Sequence, residues 1–133
     1  MRLWHEMLIP YLPTPQLLGQ HRECCALRGR GWGRKHATVD YVFQHPFGYL
    51  VAYHGVVMDE MARRGYRVDP LWRNPGYRGK QLGMTARSGQ AFERRRGEAA
   101  IYPEHNDAYM AECLENLAQK GVALDAETSR KRG

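Results

Sequence analysis

Pro46-Phe47-Gly48-Tyr49-Leu50-Val51-Ala52-Tyr53-His54-Gly55-Val56-Val57-Met58-Asp59-Glu60-Met61-Ala62-Arg63-Arg64-Gly65 decides the fold. Within it Leu50, Tyr53, Val57, Met58 and Met61 recur at the spacing that places side chains on one face of a helix. Gly65 supplies a stop, because glycine adopts the left-handed conformation that ends helices without a Cβ penalty. The pattern predicts a central core helix from about Pro46 to Arg64.

Outward from this helix the same signals recur. Upstream, Thr14-Pro15 offers a capping hydroxyl followed by proline at the first helical position, and Gly29 offers a stop. A first helix over 14–28 follows, with Leu17, Leu18, Cys24, Cys25 and Leu27 as its apolar face and Arg22 and Glu23 towards its edge. Residues 28–36 are too rich in glycine for a helix and read as a basic loop. Downstream, residues 66–100 carry Pro70, Pro75 and many glycines without sustained periodicity, which predicts a long loop with short turns. A last helix is expected from Pro103 to Lys120, burying Met110, Cys113, Leu114 and Leu117 and stopping at Gly121. No repeat and no strand pair stands out. The expected fold is mainly α: one compact domain over 1–125 of about three main helices joined by long basic loops, with a charged, frayed tail over 126–133.

A chain of 133 residues with 43% hydrophobic and 26% charged residues is an ordinary globular domain rather than a fibrous or disordered one. No apolar run approaches a membrane span, and the first residues lack a signal peptide's apolar core, so a cytoplasmic monomer is expected. Three cysteines, Cys24, Cys25 and Cys113, cannot all pair, which favours reduced thiols. The net charge of +6 is unevenly spread. Residues 1–36 hold six Lys/Arg against two acids and residues 71–97 hold seven against one, while 37–70 and 98–133 are net acidic. Two basic blocks separated by acidic helices predict one electropositive face and a polyanionic partner.

The chain opens Met1-Arg2-Leu3-Trp4. An α-amino group titrates near 7.7 to 8.0, so roughly a tenth or more of it is an uncharged nucleophile at neutral pH. Arg2 beside it lowers that pKa further. Because removal of the initiator methionine requires a small second residue and Arg2 is large, the free amine is expected on Met1. The opening Met-Arg-Leu-Trp, the Arg22-Glu23 pair and the segment Ile101-Tyr102-Pro103-Glu104-His105, read as a helix start, resemble the pyrimidine-dimer DNA glycosylase family, over the first 120 or so residues. That family, typified by the phage endonuclease V, combines glycosylase and abasic-site lyase activities.

The resemblance implies damaged duplex DNA as substrate, no metal or other cofactor, the amine of Met1 as nucleophile and Glu23 as the carboxylate beside it. Arg2 and Arg22 match arginines that hold the reacting sugar and its phosphates. Arg28, Arg30, Arg34, Lys35, Arg78 and Lys80 extend the expected phosphate-binding face. Trp32, between glycines, either stacks on an exposed base or anchors its loop to the core. The runner-up function is a non-enzymatic nucleic-acid-binding protein that keeps the basic face, and a third is an RNA-binding or RNA-processing protein.

Two other patterns point elsewhere. His5, His21, Cys24 and Cys25 have zinc-ligand chemistry, but adjacent cysteines suit one tetrahedral site poorly and the Pro-Cys-x-x-Cys of zinc deaminases is absent. Arg78-Gly79-Lys80-Gln81-Leu82-Gly83 lacks the glycine spacing and Lys-Ser/Thr ending of a phosphate loop. The chain also departs from the phage enzyme. Met1 replaces a small processed terminus, Gln16 stands where a first-helix histidine is found, and the tail Arg130-Lys131-Arg132-Gly133 replaces an aromatic segment.

Overall fold

The computed structural model of the chain describes residues 3–29, 31–32, 40–84 and 100–124. They form three α-helices, α1 (Thr14–Arg28), α2 (Phe47–Arg63) and α3 (Asp107–Gln119), and three short 3-10 helices at Glu6–Tyr11, Asp40–Gln44 and Pro70–Arg73. Among the described residues the one pairing of extended backbone is an isolated antiparallel bridge between Tyr77 and Met84. The mainly α expectation holds. Among the described residues no helix is long and apolar enough to cross a membrane.

The expected span of α1 is met, but its start works differently. Pro13 is the N-cap and makes no side-chain cap, and the Thr14 hydroxyl instead receives the Tyr66 hydroxyl proton at 3.3 Å. At its other end Gly29 has φ −85°, not the left-handed conformation of a glycine stop. What demands glycine there is space, since a Cβ would lie 3.1 Å from the Arg78 carbonyl oxygen.

Helix α2 ends as its sequence predicts. Gly65 has φ +89°, and the bonds from Tyr66 N to Met61 O at 2.9 Å and from Gly65 N to Ala62 O at 3.0 Å complete a Schellman motif. Gly121 repeats it after α3, with Val122 N donating to Leu117 O at 2.9 Å. The start of α3 lies later than Pro103, because the Asn106 side chain caps it by accepting from Tyr109 N at 2.9 Å. Ile101 and Tyr102 are therefore not helical but are buried in the core ahead of the helix.

The core joins Leu17, Cys24 and Leu27 of α1 to Leu50, Tyr53, Val57 and Met61 of α2 and to Cys113 and Leu117 of α3. Leu3, Leu8, Ile9 and Leu12 enter it from the amino-terminal segment. Full burial of a leucine side chain contributes about 1.5–3 kcal/mol. Leu3, with no exposed surface, therefore ties the chain down within two residues of its start.

Candidate active site

The amino-terminal segment is held by side chains rather than by secondary structure. Trp4 N–H donates to Gln20 Oε1 at 2.6 Å. The Tyr53 hydroxyl lies 2.5 Å from Trp4 O and 2.9 Å from the same Gln20 Oε1, so its single proton serves two acceptors. Leu3 O accepts the Tyr109 hydroxyl proton at 2.6 Å. Gln20 and Tyr53 are buried, so each unmade bond would leave a desolvated polar atom.

Gln20 also turns towards the carboxylate expected to act. Its Nε2 donates to Glu23 Oε2 at 3.2 Å, one turn along α1. One amide thus binds the Trp4 backbone with its oxygen and Glu23 with its nitrogen. Glu23 is half-buried, and Arg22 beside it is exposed. Met1 and Arg2 lie outside the described residues, as do Arg30, Arg34, Lys35 and the tail. Sequence reasoning missed Gln20, Tyr53 and Tyr109. The i,i+3 spacing of Gln20 and Glu23 was the available signal for the first.

Arg28 does not fit the phosphate-binding face. It has no exposed surface, and its guanidinium donates to the carbonyls of Trp72 at 2.8 Å, Asn74 at 2.7 Å and Tyr77 at 3.0 Å. Arg78 answers from the other side, with Nε to Arg28 O at 2.7 Å and Nη2 to Gly29 O at 2.9 Å. The two arginines clasp the end of α1 to residues 72–78, so both terminal nitrogens of Arg28 are spent on the fold. Lys80 is exposed. Trp32 is half-buried and meets Phe43 and Phe47 edge-on at 5.3 and 4.9 Å between ring centroids, the placement of a loop anchor.

The zinc-type residues separate. Cys24 is buried in the core and His5 stacks on His105 at 5.3 Å. His21 and Cys25 meet His54 of α2 instead. His21 Nδ1 lies 2.8 Å from His54 Nε2, and Cys25 Sγ lies 3.9 Å from each. A point about 2.1 Å from all three atoms exists, near zinc-ligand distances.

The protons decide against an ion there. Arg28 Nη1 sits 3.1 Å from His54 Nδ1, and a guanidinium only donates, so Nδ1 must accept. The neutral ring then carries its proton on Nε2, the atom a metal would need. A ligating histidine instead donates from its other nitrogen to an acceptor. Burial, with Arg28 and His21 adding to it, pushes the His54 pKa down to about 2, and burial raises the Cys25 thiol to about 11. Arg28, His54 and His21 form a hydrogen-bond chain, with the Cys25 sulfur beside it.

Comparison with known proteins bears on the same region. A family model described as pyrimidine dimer DNA glycosylase matches residues 1–74, which hold Glu23, Gln20, Tyr53 and Arg28 but not its clasp partner Arg78. The segment from Ile101 to His105 lies beyond that match. No curated protein and no solved structure matches the chain. With more than half of its 133 residues matched and a mainly helical fold, the chain belongs to the pyrimidine dimer DNA glycosylase family.

Proposed function

We propose that the protein is a DNA repair glycosylase with abasic-site lyase activity on duplex DNA containing pyrimidine dimers, working through an imine on the α-amine of Met1. The observation that carries this reading is the shared anchor: Gln20 binds Trp4 N–H and Glu23 with one side chain. Three residues of chain span at most about 10–11 Å, so covalent geometry keeps the amine within that radius of the anchored Trp4 nitrogen.

In the proposed reaction the uncharged amine attacks C1′ of the damaged nucleotide. The C1′–N bond breaks and its electrons leave with the base, which takes up a proton. Glu23, as carboxylate, stabilises the cationic sugar and then moves protons as the ring opens to the imine. The imine acidifies the C2′ proton. Its removal expels the 3′ phosphate by β-elimination, and hydrolysis of the imine restores the amine. Arg2 and Arg22 hold the flanking phosphates, for which forked guanidinium groups are suited. Lys80, with Arg30, Arg34 and Lys35, extends that contact, and Arg28 is not among them.

The test is borohydride trapping of the untagged protein on duplexes with a cyclobutane pyrimidine dimer or an abasic site, followed by mapping of the adduct. Linkage at Met1 on both is expected. Binding without an adduct on either substrate overturns the enzyme reading in favour of a DNA-binding protein.

A further inference from the structure

A second line of hydrogen bonds reaches the amino-terminal segment from the opposite side, and its direction can be assigned. The Glu6 backbone N–H only donates, so His105 Nδ1, 3.1 Å away, accepts. Burial, with His5 adding to it, pushes the His105 pKa down to about 3, so the ring is neutral and its one proton is on Nε2. Nε2 faces the Tyr41 hydroxyl at 2.7 Å and donates to it. Tyr41 in turn stands edge-on to Tyr109, with 6.2 Å between ring centroids. Tyr109 passes its proton to Leu3 O at 2.6 Å. The series ends on a backbone carbonyl two residues from the α-amine.

The rings that carry these bonds are packed against movement. His105 stacks between His5 and Tyr109 at 5.3 and 5.2 Å, and Tyr41 stands edge-on to His105 and Tyr109 at 5.7 and 6.2 Å. The first residues of most domains are poorly ordered unless tied down. Here Leu3 O, Trp4 N and Trp4 O are each taken by a side chain, from α3, α1 and α2 respectively. A core needs only the buried Leu3 side chain. Fixing the peptide planes as well is what a terminal nucleophile requires, because a misplacement of about 1 Å can cost on the order of a hundredfold in rate.

We propose that Tyr109, backed by Tyr41 and His105, is a positioning relay that holds the Leu3 carbonyl and thereby aims the Met1 amine at the sugar. The proposal rests on the amine reading above. These positioning residues touch no substrate, and Tyr109 and His105 lie beyond the segment that matches the family.

The experiment compares single-turnover trapping on abasic-site duplex for wild type, Tyr109→Phe, Tyr41→Phe and His105→Gln, with the dissociation constant for the same duplex and the thermal midpoint measured for each. The expected rate loss is about tenfold for Tyr109→Phe, smaller for Tyr41→Phe and smallest for His105→Gln, at unchanged DNA affinity. The midpoint should fall in the reverse order, because His105 is the most buried of the three. Wild-type adducts at Met1 with an unchanged rate in Tyr109→Phe would overturn the relay and leave the amine reading intact. Rate losses that follow the midpoints would assign the residues to the fold alone. Absence of a wild-type adduct at Met1 would overturn the amine reading and the relay with it.

Discussion

Gln20 donates its amide to Glu23 at 3.2 Å while its oxygen accepts the Trp4 backbone N–H at 2.6 Å. Replacing it with methionine keeps the volume and deletes both bonds. Trp4 N–H and the Tyr53 hydroxyl then lose an acceptor in a buried place, which costs on the order of 1–3 kcal/mol. Urea unfolding should show that loss, and single-turnover cleavage of abasic-site duplex should slow about tenfold at unchanged affinity. A full wild-type rate in Gln20→Met would separate Glu23 from this anchor.

Glu23→Gln is the sharper substitution. It keeps shape and hydrogen bonding to Gln20 but removes the charge and the proton-transfer capacity on which the proposed chemistry depends. Turnover should be abolished while DNA affinity, measured by competition binding, is preserved. An unchanged rate would exclude Glu23 as the reacting carboxylate.

The limits of the sequence follow the range of the interactions. The spans of α1 and α2 were readable because helical periodicity and glycine stops are local, and the start of α3 was misplaced because the cap at Asn106 competes with the proline signal at Pro103. The 3-10 helix Glu6–Tyr11 has no sustained period to read. The Arg22-Glu23 pair stands out in the sequence only through the family resemblance. The bonds of Tyr109 to Leu3 and of Arg28 to Asn74 join residues 106 and 46 positions apart, and no local pattern encodes such closures. Arg28 shows the consequence. By type it belonged with the phosphate binders, and only its partners reveal a buried clasp.

Salt dependence should therefore divide the arginines and lysines. Arg28→Met strands three carbonyls and should destabilise the fold by roughly 3 kcal/mol or more in urea unfolding. Arg22→Ala and Lys80→Ala, at exposed positions, should stay within about 0.5 kcal/mol of wild type. Each should flatten the slope of log affinity against log salt by about one unit. A stable Arg28→Met protein with a flattened slope would return Arg28 to the DNA face.

Tyr53 and Tyr102 offer a matched pair, since both have no exposed surface. The Tyr53 hydroxyl bonds Trp4 and Gln20, whereas the Tyr102 hydroxyl has no hydrogen-bond partner among the described residues. Tyr53→Phe should cost about 1–2 kcal/mol, and Tyr102→Phe should be neutral or slightly stabilising. Thermal melts of the two variants check this, and equal losses would contradict the assigned bonding.

Acid stability turns chiefly on two of the three buried histidines, His54 and His105. The pKa of His54 is lowered to about 2 and that of His105 to about 3, in each case chiefly by burial, from an ordinary value of 6.5. Between those values and 6.5 the unfolded chain binds protons that the folded chain refuses, so stability rises with pH across this window. The contribution is complete above pH 6.5 and is lost as pH falls towards the folded values. From pH 7 to 5 each histidine should remove about 2 kcal/mol, with His5 and His21, also lowered by burial, acting in the same direction. Unfolding free energies measured in urea from pH 7 to 5 should therefore fall steeply, with about two or more protons taken up per molecule on unfolding at pH 5. A flat profile would mean that these rings are charged in the folded protein. The directed series through His105 and the Arg28 to His54 bond would then both fail, because each requires an unprotonated Nδ1.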